Sequence, residues 1–358
     1  MILTCVMVSC AAAGGTVTAD DDGALLPFTG TDRILMFDRG TGHREIRSGT
    51  IEDIEEDFIL FRRNGRGRIE AIPLIDVEEL QFEQIKAHTQ ALELFAESRF
   101  DEALQACDEA IPWETRPWVR DEIRAAAVRC CLFLNRRAEA LRRIEAICER
   151  DTASRHCGLL PLVWDERIPQ DERYSAQAAD LSSRSRLRQL AAAASLLHQQ
   201  EHQADCIRVL THLRADRRSP LSLLAETQLW RVPLINREPL RTARVDRWRT
   251  RSAELPPWLR SGPQYLVGRA LQLHHETDRA ALEYLWTPLM RHDDPVLSAA
   301  SLSAAVVCLR DAGRMTSAEW LRAELLQRFP ATSAARHHEA KTNAQDHTLR
   351  TGAISETP

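Results

Sequence analysis

At 358 residues the chain has room for two domains, or for one extended helical array with a small domain attached. A hydrophobic content of 44% rules out wholesale disorder, and a formal net charge of −5 with a pI near 6.2 gives no global attraction to nucleic acid. Beyond the N-terminal leader, no stretch approaches the ~20 consecutive apolar residues of a membrane-spanning helix.

Met1 to Ala13 is a run of apolar and small residues, followed by Gly14 to Ala19 and then Asp20-Asp21-Asp22. Val17 and Ala19 satisfy the small-x-small rule of a signal-peptidase site, so residues 1–19 read as a signal peptide and 20–32 as a linker. Val8-Ser9-Cys10 loosely resembles a bacterial lipobox, which makes lipidation of Cys10 the alternative to cleavage after Ala19. Both versions imply export to the periplasm or cell envelope, with any membrane attachment through the leader or its lipid. A basic n-region is missing, so a cytoplasmic protein is the alternative. Cys107, Cys131, Cys148 and Cys308 lie among apolar helical residues, where cysteine behaves as a small hydrophobe. Cys148 and Cys157 flank a loop and are the pair to test for a disulfide.

Between residues 33 and 82 the period of hydrophobicity is that of strands. Ile34 to Phe37 is a first strand, and Ile46 to Ile54 a second, bent at Gly49. Phe58 to Arg62 is a third; Asn64-Gly65-Arg66-Gly67 signals a hairpin, and Ile69 to Pro73 returns. The pattern of Gly49, Ile51, Ile54, Asp57, Ile59 and Leu60, with Ile75-Asp76-Val77 after the hairpin, resembles small SH3-like or Sm-like β-barrels. Arg62, Arg63, Arg66 and Arg68 could touch RNA, but Glu52, Asp53, Glu55, Glu56 and Asp57 oppose a polyanion, and nucleic acid is not expected as a partner.

From residue 83 to 330 the pattern is helical. Pairs are expected over Phe82–Ser98 with Phe100–Ile111, Trp118–Leu134 with Arg137–Arg150, and Gln177–Gln200 with His202–Arg214. Leu221–Trp230 begins a fourth pair, completed by Leu240–Glu254. Asp151 to Tyr174, broken by Pro161 and Pro169, reads as a hinge or insert. Two further pairs occupy Gly262 to Pro330. In the first, Gly268 lies inside an apolar helix and Ala280 opens its partner; in the second, Gly313 opens a tight turn, Ala318 follows, and Pro330 ends the unit. Residues 331–358 are polar and are expected to be a disordered tail.

The small turn residue, the crossing alanine and the terminal proline resemble the tetratricopeptide repeat. Phe100 and Ala103 in the first pair, Ala140 in the second, and Gly268, Ala280, Gly313, Ala318 and Pro330 at the end take the signature positions. The period is slightly long, 38 residues from Ala280 to Ala318 (318 − 280), against about 34 in the family. The resemblance implies a mainly α protein, an α-solenoid of antiparallel helix pairs preceded by the small β-barrel. It also implies a non-catalytic scaffold that binds a protein or peptide partner in its groove, with no cofactor.

One alternative is chemical. His198-Gln-Gln-Glu201-His202 spells H-x-x-E-H, the inverted zinc-peptidase motif, in which two histidines one turn apart on a helix hold the metal. The repeat grammar places a turn there, which opposes that use. Trp230, Trp286 and Trp320 read as core; Trp113, Trp118, Trp248 and Trp258 lie near helix ends. Arg244, Arg247, Arg249 and Arg251 form a basic strip that reads as a solvated helix face.

Overall fold

The computed structural model describes residues 7–8, 31–37, 42–55, 58–64, 67–215, 219–290 and 293–340. Most of the leader, with Cys10, Val17 and Ala19, lies outside the described residues, as do Glu56, Asp57, the hairpin tip Gly65-Arg66 and residues 341–358.

The strands are β1 (Met7–Val8), β2 (Asp32–Phe37), β3 (Arg44–Ile54), β4 (Phe58–Arg63), β5 (Ile69–Pro73) and β6 (Val77–Gln81), in the order β1-β6-β2-β3-β4-β5. From β2 to β6 all pairing is antiparallel; β1 lies parallel on β6. The sheet is open, which corrects the expected SH3-like or Sm-like barrel. The 3₁₀ turn Leu74–Asp76 carries the chain from β5 to β6 on the far side of β2, and β5 and β6 do not pair, so no closure forms among the described residues. Gly49 was expected to bend or bulge β3; the register shift falls at Ile51–Asp53 instead, and at Gly49 the backbone of β4 comes so close that a Cβ would stand 2.2 Å from the Arg62 carbonyl oxygen.

The helices are α1 (Lys86–Ala96), α2 (Phe100–Ala110), α3 (Pro117–Phe133), α4 (Arg137–Arg150), α5 (Arg186–Leu196), α6 (Gln203–Arg214), α7 (Pro220–Gln228), α8 (Arg231–Ile235), α9 (Thr242–Glu254), α10 (Ser261–Leu273), α11 (Thr277–Met290), α12 (Pro295–Asp311) and α13 (Met315–Arg328). The fold is mainly helical, and none of the described helices is long and apolar enough to cross a membrane.

Two compact units share the chain. The first holds the sheet with α1–α3 and residues 146–155; the second holds residues 135–145 and everything from 156 on. In the first unit the sheet and helices share one core, since buried Trp118 on α3 donates from Nε1 to the Ile51 carbonyl at 3.2 Å and meets Phe82 edge-on at 4.8 Å. Phe100 stacks on Phe133 at 4.5 Å.

Four helices are preceded by the same local device. Ser98, Asn135, His275 and Gly313 have φ between 57° and 73°, each lies two residues before a helix, and each precedes by five residues an alanine with no exposed surface: Ala103, Ala140, Ala280 and Ala318. In three of the turns the next amide reaches back to close a Schellman motif: Arg99 to Leu94 at 2.9 Å, Glu276 to Leu271 at 3.0 Å and Arg314 to Leu309 at 2.8 Å. A left-handed residue costs a side-chain-bearing amino acid energy that glycine avoids, so Gly313 marks its turn by residue type, whereas the turns at Ser98 and His275 were legible only from the pairing of the helices around them. From α9 to α13 each helix packs on the next, and α10 approaches α11 so closely that a Cβ on Gly268 would stand 3.0 Å from the Tyr284 ring.

Within Asp151–Tyr174, expected as a hinge or insert, the boundary between the two units falls after Arg155 and the residues beyond it are packed. Leu159 to Asp165 is buried along its whole length, and this extended strap is held largely through its own carbonyls. Gln228 of α7 donates to Val163 O at 3.2 Å, Ser195 of α5 to Tyr174 O at 2.5 Å, and Asn135 to Asp171 O at 2.7 Å. Trp164 lies so close to α10 that a Cβ on Gly262 would fall 1.9 Å from its ring. Beyond Pro330 the chain stays packed: residues 333–340 are helical, Ala335 and His338 are buried, and Glu172 accepts from Ser333 N at 2.5 Å and Oγ at 2.7 Å.

Candidate interaction surface

The inner side of α11 is fixed by Ala280, Ala281, Tyr284, Thr287 and Pro288, all buried. Helical spacing then aligns Asp278, Leu282, Leu285 and Leu289 on the opposite side. Leu282 is 71% and Leu289 67% exposed, and Leu285 is half-buried. Two contacts place α13 alongside this stripe: Arg314 Nε bonds Asp278 at 2.7 Å near one end, and Arg328 Nη2 donates to the Pro288 carbonyl at 3.2 Å near the other. Trp320 on α13 is 68% exposed, and exposed Met315 begins the same helix. Charges on α12 and α13 are mutually paired, Arg310 and Arg322 with Glu319 and Arg328 with Glu324. Large apolar side chains exposed in a row on one helix face are what protein-binding sites present.

The other candidates fall elsewhere. Phe100, Ala103, Ala140, Gly268, Ala280, Gly313 and Ala318 occupy packing and turn positions, and Pro330 lies just past the end of α13. His198 lies beyond the end of α5 and His202 is the N-cap of α6, so H-x-x-E-H spans a turn and its two histidines do not share a helix face. His198 Nε2 is 3.3 Å from Arg173 Nη1. Among the described residues no group of three or more His, Cys, Asp or Glu is placed to hold a metal ion. Cys148 and Cys157 are buried, and no disulfide joins them. Trp320 and Trp286 correct the core reading, being exposed and half-buried, whereas Trp230 is buried and stacks on Trp248 at 5.3 Å. On the basic strip of α9, Arg251 pairs with Glu226 at 3.0 Å and Arg244 lies over the Trp248 ring. In the sheet, Arg62 pairs with Glu52 at 3.1 Å and Arg63 with Glu45 at 2.9 Å, which spends those cations internally.

The strap also gathers ionisable groups that lie far apart in the chain and carry no shared motif. Asp165 is 2% exposed and accepts from Arg167 Nε at 2.9 Å and from the hydroxyl of Tyr265. Burial alone would raise its pKa, but hydrogen bonds and charge from Arg167, with the Tyr265 hydroxyl, hold the carboxyl below its ordinary value; burial pushes Tyr265 well up. Beside it Arg137 and Asp294 form a bidentate pair at 2.9 and 3.1 Å, next to Leu162 and Trp164. The cavity there is about 10 Å³, the room of one water molecule and far below that of a substrate. The uninterrupted apolar run Leu159 to Trp164 was the available signal for a buried segment.

No family model, curated protein or solved structure matches the chain.

Proposed function

We propose that the protein is a non-catalytic interaction scaffold, exported to the cell envelope, whose second unit binds an amphipathic helix of a partner protein on the α11–α13 surface. The observation that carries this reading is the row Leu282, Leu285 and Leu289 on one face of α11, with Trp320 exposed on α13. Spacing of three and four residues matches the anchors of a partner helix. The repeated left-handed turn and crossing alanine support a tetratricopeptide-like arrangement of the helix pairs. The expected groove is replaced here by an outer surface, because α5, α7 and α10 already hold the chain's own strap.

The test is site-specific photocrosslinking in native cells from positions 282, 289 and 320, with Thr250 on α9 as control, followed by binding of the purified partner. One defined partner should crosslink from the three positions and not from the control, and Leu282→Glu and Trp320→Ala should each weaken its Kd about tenfold or more, as central apolar anchors do. Equal yield at Thr250, or an unchanged Kd, removes the reading. Intact-mass measurement of the native protein tests export; a mass retaining residues 1–19 removes that part.

A further inference from the structure

Arg231 opens α8 and is 1% exposed, among the most deeply buried large side chains of the second unit. Its Nη1 donates to the Ala194 carbonyl at 2.6 Å and to Gln228 Oε1 at 2.8 Å. Nε and Nη2, both buried, make no hydrogen bond among the described residues. That is the edge of the guanidinium that grips an anion side-on with two parallel N–H groups, and Nη1 fixes its orientation. Gln228 is itself fixed by its bond to Val163 O, so the arrangement is rigid.

The surroundings make the site more positive. Arg173 spends its guanidinium on the carbonyls of Ile168 and Glu166 and on His198, and forms no ion pair among the described residues. Desolvation, followed by the charges of Arg173 and Arg231, lowers the pKa of His198, and burial lowers that of Arg231 to about 10. Arg231 therefore remains charged at neutral pH. The fields of Glu166 and Asp165 reach Arg231, but neither carboxylate forms an ion pair with it among the described residues. A buried cation without a contacting anion is strongly disfavoured.

We propose that the Nε and Nη2 edge of Arg231, with Arg173 and His198 nearby, binds a small monovalent inorganic anion, a halide in size and charge, inside the second unit. The anion gives the buried cation a contacting counter-charge and the two guanidinium donors their partner, and serves as a structural ligand joining α5, α7, α8 and the strap. His198 then stands beside two arginines, surroundings that oppose a metal ion.

The full-length protein is crystallised and soaked in bromide, and its thermal unfolding is compared in sodium chloride and in sodium gluconate of equal ionic strength. An anomalous peak within hydrogen-bond reach of Arg231 Nε and Nη2 is expected, together with a Tm higher in chloride by about 2–4 °C. Arg231→Met should have the same Tm in both salts. If that variant does not fold, the wild-type bromide peak and salt comparison decide alone. Absence of the peak overturns the proposal, and so does an equal wild-type Tm in chloride and gluconate, which would mark binding at crystal concentration only.

Discussion

Two stretches of the second unit solve the problem of burying backbone in opposite ways. The helix pairs from Ser261 to Arg328 satisfy their amides and carbonyls locally, so side chains need only supply apolar contact. The strap from Leu159 to Tyr174 has little regular structure, and its carbonyls depend on Gln228, Ser195 and Asn135, contributed from distant positions. Substitutions should therefore be absorbed in the pairs and transmitted in the strap.

The sharpest test sets two glycines of α10 against each other. Gly262→Ala drives a methyl into the Trp164 ring at 1.9 Å, where the neighbouring Val163 and Asp165 are both tied, and should cost about 3 kcal/mol in denaturant unfolding. Gly268→Ala meets the Tyr284 ring at 3.0 Å and gains about 1 kcal/mol of helix propensity, so its net change should stay within about 1 kcal/mol. Equal costs would break the comparison.

Asp165→Ala should follow at about 2–3 kcal/mol, since Tyr265 loses a buried acceptor while Arg167 keeps access to water. Its pH signature is also defined. The folded carboxyl titrates below the unfolded value of about 3.9, so its contribution is complete above that pH and is lost as the pH falls through the lower folded value. Unfolding curves from about pH 5 down to about pH 2 should show a steeper acid loss in wild type than in Asp165→Asn.

Glu172→Gln weakens one of the two bonds to Ser333 and should cost about 1–2 kcal/mol, visible as earlier proteolysis of residues 333–340. Leu282→Glu lies on the exposed stripe and should shift stability by less than about 0.5 kcal/mol while abolishing crosslinking from that surface.

What could be read beforehand divides along the same line. The sheet strands, the helix pairs, and alanines such as Ala103 and Ala318 were legible because periodicity and small residues report local geometry. Barrel closure was not, since nothing in the alternation of Ile51, Ile59 and Ile72 tells whether β5 meets β6. The final strand β6 was largely missed because its Glu78-Glu79 pair hides the apolar alternation. Pro161 and Pro169 correctly denied a helix but said nothing of burial. Trp320 resembled its buried counterpart Trp230 in sequence, and only the position of α13 separates them. Arg231 gave no signal at all, because a lone arginine in sequence is normally solvated.

The strap also bears on the order in which the second unit can assemble. An array of repeats can grow by adding one neighbour at a time, each stabilised by the last. Here Asp165, paired locally with Arg167, waits for the Tyr265 hydroxyl, 100 residues on, and Glu172 waits for Ser333, 161 residues on. Such separations make folding slow and cooperative. A ribosome must release nearly the whole unit before the strap can be locked, and a chain shortened by its last helix pair should emerge without a seated strap, open to chaperones and proteases along Leu159 to Trp164.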